Sequence, residues 1–276
     1  MSCAAVFVDA GYLFAQGSAA LTGSKKTRAE LKLNETAVVS ELMSVAKKQA
    51  DTNRILRIYW YDATHQSKGI SLEHSTLAHT DYIKLRLGQL NNQGEQKGVD
   101  SLIVTDMIEL ARNHAISDAV LLSGDEDVRI GVQIAQSFGV RIHLLGITPC
   151  RGSQSLLLMQ EADTTQEWDA TTVAKFLSHH TPISKVISGI ATPLNALPPE
   201  NIEAHLETVA MALFADIGSA DLVALNTYRV THKGLPSDID GKLLAQARTK
   251  LGHNLDQKQR QYLRGFFIRL LPKLAT

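Results

Sequence analysis

Only two cysteines, Cys3 and Cys150, occur in the 276 residues of this chain. Two thiols cannot build a disulfide framework, and without a Cys-x-x-Cys pair there is no zinc site of that kind, so a reducing compartment is expected. Long apolar runs are missing too, and nothing approaches the roughly 20 residues needed to span a bilayer. The opening Met1-Ser2-Cys3-Ala4-Ala5-Val6 lacks the basic head and apolar length of a secretory signal. The expectation is a cytoplasmic protein with no membrane partner. No Gly-x-Gly-x-x-Gly follows the first apolar run, which disfavours a dinucleotide cofactor. No Gly-x-Ser-x-Gly elbow is present, which disfavours nucleophilic hydrolase chemistry. A charge excess of one sign is absent as well: Lys+Arg and Asp+Glu both number 28. Total charge therefore says nothing about a nucleic-acid partner, and only its distribution can.

What is present is a chain with 44% hydrophobic and 20% charged residues, enough for a proper core. Its first half alternates β and α patterns. Ala4–Val8 is a wholly apolar strand closed by Asp9, followed by a sharp connection at Ala10-Gly11-Tyr12 and a polar loop over Gly17–Lys32. Asn34 reads as the N-cap of a helix whose Val38, Leu42, Val45 and Ala46 share one face. Arg54–Tyr61 is a second strand. Tyr82, Leu85, Arg86 and Gln89 fall at helical spacing, and a turn-rich stretch covers Asn91–Gly98. Asp100 is expected to cap a helix running to His114, with Leu102, Ile103, Met107, Leu110 and Ala111 on its inner side. Ala119–Leu122 and Val140–Leu145 are strands, separated by a helix over Val128–Phe138 that Gly139 closes in a left-handed conformation. Short helices are expected over Ser153–Glu161 and Thr171–Leu177. The fold class is α/β: a mainly parallel sheet covered on both faces, followed by a small helical C-terminal domain. The expected boundaries are 1–168 for the first domain, 169–199 for a proline-containing linker and 200–276 for the helical tail.

The chemistry is carried by acids at the edge where strands end. Leu121-Leu122-Ser123-Gly124-Asp125-Glu126-Asp127 runs an apolar strand straight into two aspartates. Asp9 ends the first strand, and Asp100 closes Lys97-Gly98-Val99-Asp100. In open α/β sheets that edge is where ligands bind. Converging carboxylates repel, by about 4 kcal/mol for two charges about 4 Å apart at an effective dielectric of 20. Either a proton is shared or a cation is bound. Hard oxygen donors without histidine or cysteine favour Mg²⁺ or Mn²⁺, and the chemistry such ions serve best here is phosphodiester hydrolysis. Each acid also has a plainer role open to it: Asp9 as a strand end, Asp100 and Asp127 as helix caps. Asp106 lies about 240° around its helix from Asp100 at 100° per residue, so it belongs behind the site or to the scaffold.

Three of these blocks together carry a resemblance: Val8-Asp9-Ala10-Gly11-Tyr12, Lys97-Gly98-Val99-Asp100 with Asp106-Met107, and Ser123-Gly124-Asp125-Glu126-Asp127. In order and spacing they resemble the NYN domain, a PIN-like nuclease family, and are most similar to its bacterial LabA-like branch. Leu156–Asp163 resembles that domain's closing segment. The resemblance implies a PIN-like α/β/α sandwich, a Mg²⁺- or Mn²⁺-dependent acidic centre, and RNA as substrate. By motif position it implies Asp9, Asp100, Asp125 and Asp127 as the catalytic and metal-holding acids, with Asp106 a further acid; Tyr12 and Ser123 are candidates for a supporting layer behind them. Many relatives carry Asn where Tyr12 stands, and an aromatic where Val128 stands.

Two other readings remain open. A non-catalytic RNA- or protein-binding regulator could keep this fold, and the Tyr12 departure is its support. Gly124-Asp125-Glu126-Asp127-Val128, with Ala135 and Gly139, also resembles the last motif of haloacid-dehalogenase phosphatases. That family's nucleophile motif places a second Asp two residues after the first, where Gly11 stands here. In the tail, Lys242, Arg248, Lys250, Lys258, Arg260, Arg264, Arg269 and Lys273 face one acid, Asp256, over Lys242–Lys273. This makes Lys242, Arg248, Lys250, Lys258, Arg260 and Arg264 candidate RNA contacts, or else the solvated face of a packed helical module. Phe266, Phe267, Ile268, Leu270 and Leu271 are candidates for a homodimer interface.

Overall fold

A computed structural model describes residues 3–51, 54–65, 69–90, 96–180 and 202–271. The stretch 91–95, most of the expected linker (181–199) and Lys273 lie outside the described residues, as does the side chain of Lys97. The chain divides into two compact units. One comprises residues 1–66 and 77–184, the other 67–76 and 185–276.

The first unit is built on strand β1 (Ala4–Asp9), all six residues of which are buried. Helix α1 (Ala10–Thr22) follows with no intervening loop. The sharp connection and long polar loop expected here are thus corrected. Asp9 accepts the Tyr12 N–H at 3.1 Å and caps the helix, while Leu13, Phe14, Gly17 and Ser18 are buried. The helix is largely apolar, and its packed face includes Gly17 and Ser18, which read as loop residues in sequence.

After α1 come strand β2 (Leu31–Leu33), helix α2 (Glu35–Gln49) and strand β3 (Ile55–His65). Asn34 caps α2 as expected, accepting the Ala37 N–H, and Val38, Leu42, Val45 and Ala46 are its buried residues. Helix α3 (Leu72–Ala78) precedes strand β4 (Ile83–Leu90) and the two-residue strand β5 (Gln96–Lys97). The helix expected around Tyr82–Gln89 is therefore a strand. Ile83 and Leu85, two apart, pack on the core, so a period of two overrides the coincidental helical spacing. Helix α4 (Val99–Arg112) starts after Gly98, whose φ of +81° disfavours any side chain. Asp100 thus sits in the first turn and is not the cap.

Strand β6 (Asp118–Leu122), helix α5 (Arg129–Ser137), strand β7 (Arg141–Ile147), helix α6 (Leu156–Glu161) and strand β8 (Thr164–Trp168) complete the alternation. Helix α7 (Ala170–Val173) and strand β9 (Leu177–His179) follow. β9 pairs antiparallel with β2, and Phe176 packs tilted against Trp168 with ring centroids 5.2 Å apart. Residues 170–179, expected to open the linker, are instead packed into the first unit.

Seven strands form one sheet in the order β5-β4-β3-β1-β6-β7-β8. Every neighbouring pair is parallel except β4–β5. Alternate residues of β1 feed two cores. Ala4, Val6 and Val8 join residues of α1, α2 and α7 on one face. Ala5 and Phe7 join Val99, Ile103 and Met107 of α4 on the other, together with Val132 and Ala135 of α5. The result is an α/β/α sandwich. From β1 the chain builds outward through β3 and β4, then returns to add β6 on the opposite side. That reversal leaves a crevice between β1 and β6 at their carboxyl ends.

The second unit contains helices α8 (Ile202–Asp216), α9 (Ser219–Thr231), α10 (Ser237–Leu251) and α11 (Gln257–Leu270). Its core includes Leu206, Leu213, Leu225, Leu243, Leu263 and Phe267, and it also takes in Leu72 from the first half of the sequence. Phe267 and Leu271 are buried within this core, with Phe266 and Leu270 packed against it. The tail residues considered for a homodimer thus largely serve the unit's own interior. Among the described residues no single helix is long and apolar enough to cross a membrane.

Candidate metal centre

β1 and β6 are adjacent and parallel, with Val8 opposite Leu122. Their ends therefore place Asp9 beside the turn Ser123-Gly124-Asp125. Asp125, in extended conformation, accepts the Asp127 N–H at 3.0 Å and opens a short 3-10 turn over Glu126–Val128. α4, packed on the same face of the sheet as α5, brings Asp100. Carboxylate oxygens of Asp100, Asp125 and Asp127 all lie within 4.8 Å of one another. Asp125 and Asp127 are exposed and Asp100 is half-buried.

Asp9 is the inner acid, only 8% exposed. Ser123 lies between it and the turn: its hydroxyl donates to the Asp9 carboxylate at 3.3 Å and accepts the Asp125 N–H at 3.3 Å. Burial, with a smaller push from Asp100, raises the Asp9 carboxyl to about 6 despite the Tyr12 N–H and Ser123 bonds that oppose it. Asp100 is raised as well, first by burial and then by the charges of Asp125 and Asp127. Both shifts express the same fact: this pocket resists holding all its carboxylates charged. The donor set is oxygen only, with no nitrogen or sulfur ligand in the group, which fits a hard divalent cation such as Mg²⁺ or Mn²⁺.

Not every acid flagged in the sequence belongs here. Asp106 receives Nε and Nη2 of Arg86 at 2.9 and 3.2 Å, and the Tyr61 hydroxyl at 2.9 Å. It ties α4 to β3 and β4 and is a scaffold residue. Tyr12 acts through its hydroxyl as a brace, accepting the Ile147 N–H at 3.2 Å and lying 3.0 Å from the Ser153 hydroxyl. Its ring covers Gly124, where an added Cβ would come within 2.6 Å of the ring and 2.3 Å of the Ser153 carbonyl. Only glycine fits that turn.

Three contributors carry no motif signal. The Gln154 amide donates to the carbonyls of Ser123 at 2.7 Å and Leu145 at 3.1 Å, locking the acidic turn to β7. The Ser155 N–H donates to the Gly124 carbonyl at 2.9 Å. Lys25 lines the same open cleft of about 570 Å³ as Asp9, Tyr12 and Asp125. Gln154 and Ser155 precede α6 in a stretch whose sequence shows only a helix start, and Lys25 looks like any loop lysine.

The tail cations diverge. Arg264 makes a bidentate pair with Asp240, both contacts at 2.6 Å, and Arg260 donates to the Leu255 carbonyl at 2.9 Å. Lys242, Arg248, Lys250 and Lys258 are exposed. On α10, Lys242 and Lys250 are about 80° apart and share a face, whereas Arg248 points elsewhere at 100° per residue.

The NYN domain model matches residues 4–179. The uncharacterized protein y4oD of Sinorhizobium fredii (strain NBRC 101917 / NGR234) is 50% identical over 204 residues, covering 72% of this chain and 95% of that protein. A crystal structure of the protein of unknown function VPA0982 from Vibrio parahaemolyticus RIMD 2210633 is similar at 20% identity and a TM-score of 0.44. That match covers 64% of this chain and 96% of that one.

Proposed function

The chain belongs to the NYN domain family, a family of nuclease type, and on that premise we propose that it hydrolyses RNA phosphodiester bonds at the acidic cleft, dependent on Mg²⁺ or Mn²⁺. The observation that carries the reading is the convergence of Asp100, Asp125 and Asp127 within 4.8 Å, with buried Asp9 beneath them. A divalent ion bound there supplies a Lewis acid for the phosphoryl oxygens and makes water a stronger nucleophile at neutral pH. Asp100, Asp125 and Asp127 would hold the ion, with Asp9 adding to the negative field from below. Ser123, Gln154 and Tyr12 keep those carboxylates in place through the contacts described above. The cleft is open to solvent, which suits a polymer that must lie across it.

The exposed Lys242 and Lys250 are assigned to peripheral, sequence-independent contacts with the RNA backbone. Arg264 is assigned to holding α11 to α10, and Arg260 to fixing the connection that precedes α11.

The test is one assay on the purified full chain. Labelled single-stranded and structured RNAs are incubated with Mn²⁺ or Mg²⁺, with EDTA, and with the Asp125→Asn variant. Cleavage that needs the metal and falls by at least about 100-fold in the variant is expected, since a metal ligand is lost. Equal cleavage by Asp125→Asn, or none with any metal, sinks the reading.

A further inference from the structure

Residues 23–26 follow α1 and fold back on its last turn. The Thr22 hydroxyl donates to the carbonyls of Ser18 and Ser24, both at 2.9 Å. The buried Ser18 hydroxyl donates to the Ala15 carbonyl and accepts the Lys26 N–H, both at 3.0 Å. Those bonds fix the backbone on either side of Lys25. They leave Lys25 exposed on the wall of the cleft that also holds Asp9, Gln16 and Asp125. It is the one cation among the described residues lining that cleft. Its neighbour Lys26 is directed elsewhere, and its charge is felt by Glu30.

We propose that Lys25 is a positioning residue that binds a backbone phosphate of the RNA and so sets where the strand crosses the acidic cluster. The proposal rests on the nuclease reading of the cleft. A polyanion approaching Asp125, Glu126 and Asp127 meets repulsion, and an ion within the cluster offsets it only at the reacting phosphate. A neighbouring phosphate needs its own cation. A lysine ammonium is a compact charge on a flexible stem, able to meet a phosphate oxygen from many directions without sequence preference.

The experiment is fluorescence anisotropy of a short 5′-labelled single-stranded RNA with the full chain in Ca²⁺, across a salt series. It is paired with steady-state cleavage in Mn²⁺. Lys25→Ala is expected to weaken binding about threefold and to reduce the salt slope by about 0.7, the contribution of one single-strand phosphate contact. In turnover it is expected to raise KM while kcat stays within about twofold, the mark of a binding contact rather than a reacting group. Lys25→Arg restores binding, and Lys26→Ala, which changes the same net charge off the cleft, leaves it unchanged. Wild-type affinity in Lys25→Ala, or an equal loss in Lys26→Ala, overturns the proposal while leaving the nuclease reading intact. RNA binding that depends on Lys25 without cleavage under any metal keeps the contact and overturns hydrolysis. No RNA binding by the wild type overturns the Lys25 assignment.

Discussion

Asp9 shows how one residue can serve the scaffold and the site at once, at a cost to stability. As a cap it accepts the Tyr12 N–H, and as the inner acid it sits buried under the cluster. Its folded value of about 6 lies above the ordinary 3.8, so the folded chain binds this proton more tightly than the unfolded chain does. The sign follows: in metal-free protein this group favours folding fully below about pH 4, and that advantage is lost as pH rises through 6. A shift of this size corresponds to roughly 3 kcal/mol at neutral pH. Asp9→Asn keeps a side chain able to cap α1 and removes the buried charge. Its EDTA-treated form is therefore expected to be more stable than wild type at pH 7.5 and no more stable at pH 4, by urea denaturation at both pH values. A variant that loses stability at pH 7.5 contradicts the burial argument. Cleavage is expected to be lost in either case, which separates the acid's function from its contribution to folding.

At the scale of elements, the strongest correction concerns residues 170–179. Phe176 is 1% exposed, packs at a tilt against Trp168 and precedes the strand that pairs with β2. Phe176→Ala is expected to cost about 3–5 kcal/mol, read as a lower urea midpoint. A loss under about 1 kcal/mol would return the segment to the role of linker. What could be read in advance had a physical signature of its own. Ala4–Val8 in β1 and Ala119–Leu122 in β6 are uninterrupted apolar runs, α2 has a cap and a clean buried face, and α5 is followed by a left-handed glycine, Gly139 at φ +85°. The candidate acids stood out because each ends or opens an element, and three of them do converge. The failures are equally physical. α1 carries Gly17 and Ser18 on its buried side, where they look like loop residues until the packing of Gly17 on Leu177 and Val173 is known. β4 mimics a helix because Leu85 and Gln89 happen to fall at helical spacing. Gln154 and Tyr12 act through tertiary contacts that no local pattern announces, and the place of Lys25 on the cleft wall is likewise invisible in sequence.

For the whole molecule, the question is whether the helical unit acts on RNA by its charge. Its basic stretch is real in sequence, yet over residues 202–271 nine Lys/Arg stand against seven Asp/Glu. Arg264 is neutralised by Asp240, so the unit's surface is nearly balanced. Deleting the tail is a poor test. Leu72 and Ile70 pack into the helical core, and the Leu72 N–H donates to Asp238 at 3.0 Å. Truncation would strip cover from residues lodged in the first half of the sequence and confound folding with binding. Charge substitution avoids this. Lys242→Gln with Lys250→Gln alters two exposed side chains on one face of α10 and touches no core residue. If both contact the backbone, the salt slope for single-stranded RNA falls by about 1.4, at roughly 0.7 per contact, while kcat in Mn²⁺ is unchanged because neither residue lines the cleft. An unchanged slope would assign the tail's cations to solvation of a packed helical module and leave Lys25 and the acidic cluster as the RNA-facing charges of the chain.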